Sequence, residues 1–65
     1  MNVQTKVRAT NYVNEAARNL SAARDTLIYS KIPDERELLA TLKEAERLAG
    51  LAVAEIAREL AGREG

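Results

Sequence analysis

Apolar residues in the second half of the chain recur at helical spacing. At 3.6 residues per turn, Leu38, Leu42, Ala45, Ala49, Ala52, Val53, Ile56 and Leu60 fall within an arc of about 100°, which predicts an amphipathic helix with one core face. Asp34 suits its N-cap, and Glu37 three residues on completes a D-x-x-E variant of the capping box. Glu35 and Glu37 also place negative charge in the first turn, where the helix dipole favours it. Gly62 and Gly65 supply a stop, so the helix is expected over 34–61 with a tail at 62–65. The first half repeats the pattern over a wider arc of about 140°, through Ala9, Tyr12, Val13, Ala16, Ala17, Leu20, Ala23 and Leu27, and predicts a helix over 10–28. Val13, Leu20 and Leu27 recur every seven residues there, as do Ala9, Ala16 and Ala23, a spacing that favours near-parallel, left-handed packing. Pro33, which disfavours helical geometry in Ile32, leaves 29–33 as the connection.

Two helices joined by so short a connection form an antiparallel hairpin. A hairpin faces its mate with one stripe only, and both arcs here are wider than that stripe. A chain of 65 residues also buries only about 60% of its unfolded surface, which leaves it marginally stable alone. The expected fold is therefore all-α and single-domain: a helical hairpin that homodimerises into an antiparallel four-helix bundle.

Composition narrows the chemistry. Alanine supplies 12 residues and leucine eight, while phenylalanine and tryptophan are absent, which is helix-forming material. With no cysteine and no histidine there is no disulfide, no thiolate nucleophile and no zinc site of the usual kind. Ser21 and Ser30 have no histidine base, so no catalytic residue is expected and the chain reads as a non-enzyme without a cofactor. Glu44, Glu46, Glu55 and Glu59 lie off the apolar arc and lack the histidines that accompany carboxylates in di-metal bundles, so they are read as a solvated face with no metal. No apolar run approaches the roughly 20 residues that span a bilayer, and the default expectation is a cytoplasmic protein without a membrane partner.

Residues 1–9 allow two structures. Asn2 to Ala9 alternates polar with β-branched or small residues, a period-2 strand signal that would put Gln4, Lys6 and Arg8 on one face. Strand followed by two helices resembles the ribbon-helix-helix family, which implies paired strands in the DNA major groove and a repressor in which Gln4, Lys6 and Arg8 contact bases and phosphates. The departures are a second helix longer than that family's and a connection without glycine. Val3, Val7 and Thr10 also lie three or four apart, so the favoured reading is the first turns of the first helix or a frayed end.

The net charge of zero is a cancellation: residues 1–33 hold five basic and two acidic side chains (+3), residues 34–65 five and eight (−3). A basic first half keeps nucleic acid open as a partner, with Arg18 a further contact on the outward side of the first helix, in an architecture like the Rop type of RNA-binding bundle but without a residue match to it. On the second helix, Gly50, Ala54, Ala57 and Ala61 form a ridge of small residues beside the core face, and Leu48 and Leu51 stand on another side, marking surfaces for an oligomer or a protein partner. The function expected first is that of a small regulatory or adaptor protein acting through helical protein–protein contacts as a dimer; the alternative is the DNA-binding repressor.

Overall fold

The structure, a computed structural model, describes residues 1–64 and consists of two helices, α1 (Val3–Tyr29) and α2 (Glu35–Glu64), packed as a hairpin. Helix α1 starts seven residues earlier than the expected 10–28. Asn2 is its N-cap: the backbone there is extended and the side-chain Oδ1 accepts from the Gln4 N–H at 2.7 Å. That satisfies one of the donors a helix start leaves unpaired. The ribbon reading is thereby corrected, because residues 3–9 are helical and no strand occurs among the described residues. Once a cap and an apolar contact are available, the β-branched residues Val3, Thr5 and Val7 reduce helix propensity by only tenths of a kcal/mol each.

Helix α2 starts where its sequence predicts. Asp34 Oδ1 accepts from the N–H groups of Arg36 (3.0 Å) and Glu37 (3.2 Å), and the Leu38 N–H closes the first turn on the Asp34 carbonyl at 2.9 Å. The helix then runs through Gly62, whose φ is not positive, so the expected stop near Ala61 is not used. Gly65, the second glycine of that stop, lies outside the described residues.

The seam between the helices is lined by small residues. Thr5, Ala9, Ala16 and Ala23 of α1 are buried against Ala45, Leu48 and Ala52 of α2. Alanine every seventh residue keeps one narrow stripe of α1 turned to α2 and lets the backbones approach closely. This differs from the expected core face of α2, of which only Ala45 and Ala52 are buried, while Leu42, Val53, Ile56 and Leu60 are exposed. The seam is rotated by about 60° from the centre of the apolar arc, as drawn at 100° per residue. Leu48, expected outside, is the one large apolar side chain that the seam buries, at 3% exposure.

Register follows from the ties at the open end of the hairpin. Arg8 Nε lies 3.3 Å from Glu55 Oε2, and the Asn2 N–H donates to Glu59 Oε1. A residue n of α1 is thus level with about residue 63 − n of α2. Glu55 and Glu59 are therefore not part of a solvated face. The Glu55 side chain keeps only 13% of its exposure, and Glu59 brings negative charge to the positive end of the α1 dipole.

Candidate interaction surface

The hairpin is one layer thick and has two unlike sides. On one, three arginines are matched within the chain: Arg8 with Glu55, Arg58 with the same Glu55 at 3.9 Å, and Arg47 with Glu44 through its Nε at 3.1 Å. The Glu44 carboxyl is held below its ordinary value, chiefly by that hydrogen bond; a small loss of hydration opposes it, and the Arg47 charge adds to it. The Arg47 guanidinium is pushed up for the reciprocal reason, with smaller help from Glu15 and Tyr12 of α1 on the same side.

The other side is apolar. Val13, Leu20 and Leu27 lie about 20–60° round α1 from its seam, and Leu42, Val53, Ile56 and Leu60 are displaced in the same sense round α2. In antiparallel helices the same rotational sense brings both sets to one side, and Val13 and Ile56 do line a common depression there with Thr10 and Ala9. Exposures of 52% for Leu20, 66% for Val53 and 40% for Ile56 mean that the hairpin leaves much of this surface in water.

The amount of exposed surface is large for the mass. The described fold has 5180 Å² of accessible surface, where a compact monomer of 7.1 kDa would have about 4,100 Å². The Cα radius of gyration is 15.0 Å, against about 11 Å for a compact chain of this length. About 1,100 Å² thus stands in excess of what a self-sufficient fold shows.

The chain matches no known protein family, no characterised protein and no solved structure.

The residues expected to contact nucleic acid are not brought together. Gln4 and Arg8 are one helical turn apart, and Arg8 is engaged with Glu55. Lys6 stands at the edge of the apolar side, where it lines a depression with Ala9, Val13 and Ile56, and Arg18 is on the back of α1 about 160° from the seam. The expected partner residues also separate. Leu48 is inside the seam and Leu51 is half-buried at its polar edge. Gly50, Ala54, Ala57 and Ala61 form an exposed strip on the back of α2, and among the described residues nothing beyond the adjoining residues and backbone of α2 itself comes within 4 Å of where a Cβ on Gly50 would sit. Close backbone approach within the hairpin therefore does not account for that glycine.

Among the described residues no group of three or more acidic side chains is placed to hold a metal ion, and no helix is long and apolar enough to cross a membrane. What sequence reasoning missed is the division of labour: alanines make the seam and the larger side chains beside them face outward. The signal was present in the two interleaved seven-residue repeats of α1.

Proposed function

We propose that this chain is a small non-enzymatic adaptor or regulator that acts as a homodimer, with the apolar side of the hairpin closing on that of a second copy to form an antiparallel four-helix bundle. The observation that carries the reading is the exposed ribbon of Val13, Leu20, Leu27, Leu42, Val53, Ile56 and Leu60 on one side of a fold whose other side carries the ion pairs of Arg8, Arg47 and Arg58. The excess of about 1,100 Å² per chain exceeds the roughly 800 Å² that each partner contributes to a standard stable interface. A twofold-symmetric contact needs a self-complementary patch, and a flat apolar side is one. The absence of histidine and cysteine supports a role without catalysis. The reading places the protein in the cytoplasm, where a fold that needs no disulfide is at no disadvantage.

Sedimentation equilibrium across micromolar concentrations tests it. The expected result is a helical species of twice the 7.1 kDa chain mass. A folded monomer at those concentrations would overturn the reading.

A further inference from the structure

Resting on that dimer, we propose that its two chains are related by a twofold axis parallel to the helices, so that α1 of one protomer packs against α2 of the other. Two flat layers can close through a twofold axis in the interface plane in two ways. An axis along the helices sets α1 over the partner's α2. An axis across them sets α1 over α1 and α2 over α2.

Charges at the rim of the apolar side distinguish the two. On the α1 edge stand Lys6 and Arg24, and on the α2 edge Glu35 and Glu46, all exposed. Lys6, Glu35 and Glu46 have no ion-pair partner among the described residues, and Arg24 has only the neighbouring Asp25 at 3.4 Å, whereas on the polar side Arg8, Arg47 and Arg58 are each paired with Glu44 or Glu55. One rim is thus basic and the other acidic, with their charges available to a second chain.

Register makes this specific. A rotation about an axis parallel to the helices preserves height, so Arg24 is level with about residue 39 of the partner's α2. That is four residues, or about 6 Å of helix rise, from the partner's Glu35, within reach of an arginine. Val13 is likewise level with about residue 50 of the partner's α2, next to Ala49, and Leu20 with about residue 43, next to Leu42. The crossed axis reverses height about the middle of the hairpin. With full overlap it puts Lys6 within two residues of the level of the partner's Arg24, and Glu46 within about four residues of the level of the partner's Glu46. Like charges then face each other on both rims, and such pairing selects against an arrangement.

The absence of cysteine makes cross-linking unambiguous. Val13→Cys and Ala49→Cys are prepared as separate chains and mixed, and Ala17→Cys is oxidised alone. Helical circular dichroism confirms that each variant is folded. The expected result is a mixed Val13→Cys/Ala49→Cys disulfide dimer, with Ala17→Cys sedimenting as a dimer but not cross-linking. Self-cross-linking of Ala17→Cys, or a dimer that yields no mixed product, overturns the arrangement while the dimer itself stands; a wild-type monomer removes the reading beneath both. Arg24→Glu adds a readout of opposite sign for the two arrangements. It raises the dimer dissociation constant several-fold in the proposed one, and Glu35→Arg in the same chain restores it. With α1 over α1, Arg24→Glu would tighten the dimer instead.

Discussion

Truncating Leu20 is the most direct probe of the apolar side. In the hairpin Leu20 is 52% exposed and belongs to no buried cluster. In an isolated hairpin, Leu20→Ala would change little, because alanine is the better helix former and half of the leucine is already in water. In the face-to-face dimer the remaining half is covered. Full burial of a leucine is worth about 1.5–3 kcal/mol, and large-to-small changes in packed cores add a cavity term that brings the loss to about 2–5 kcal/mol. Assigning half of this to association gives about 1–2 kcal/mol for each chain, or about 2–4 kcal/mol for the dimer, since each dimer carries two copies. At about 1.4 kcal/mol per tenfold, the dissociation constant should rise by about 10²-fold. Sedimentation equilibrium reads this directly. The melting temperature of the 222 nm signal, followed against protein concentration, gives a second reading, because a folded state that binds its own copy melts higher as concentration rises. A dissociation constant and melting curve within twofold of the parent's would refute the reasoning, whatever the oligomer.

Four further outcomes follow from the hairpin itself. Ala16→Leu forces a large side chain into the alanine seam, where Ala16 is buried, and should lower stability by about 1–3 kcal/mol in chemical denaturation; a neutral result would mean that the helices are not closely apposed. Asp34→Ala removes the acceptor for two first-turn N–H groups and should lower stability by about 1 kcal/mol in the same assay. Gly50→Ala meets open space and should stabilise by about 0.5–1 kcal/mol through helix propensity, while a loss would indicate that the back of α2 is packed against another chain. The Glu44 carboxyl is lowered in the fold, so its contribution is present above its unfolded pKa and is lost as pH falls through the folded value. Glu44→Gln should therefore flatten the acid side of a melting-temperature profile, and about 0.5 M salt should remove the difference, because the pair is exposed.

How much of this was legible from residues alone varies along the chain. The start of α2 was readable because Asp34, Glu35 and Glu37 act through local hydrogen bonds and the helix dipole, both fixed by sequence spacing. The start of α1 was less so. Asn2 is a good cap, yet over so few residues Val3, Thr5 and Val7 fit a two-residue period while Val3, Val7 and Thr10 fit a helical one. The choice of seam was not legible from α2, because an apolar arc does not say which part of itself meets the nearest helix. Leu48 lay outside the arc drawn from Leu38 to Leu60 but is buried because the alanines of α1 make room for it. Glu55 and Glu59 look like surface acids in the sequence, and only the register of the hairpin brings them to Arg8 and the α1 N-terminus.

The alanine seam has a consequence for how the protein would be controlled. Five of the six apolar residues it buries are alanines, each of which removes little hydrocarbon from water. A hairpin closed in this way has little cooperative strength of its own, so in the proposed dimer the folded form would draw much of its stability from the second copy. The folded fraction then rises more steeply than in proportion to the amount of chain made, because each productive encounter consumes two molecules. Below that threshold the chain would stay open to proteolysis. As the proposed dimer, a protein of this design would report its own concentration, and modest changes in synthesis would switch it between absence and activity without any ligand or modification.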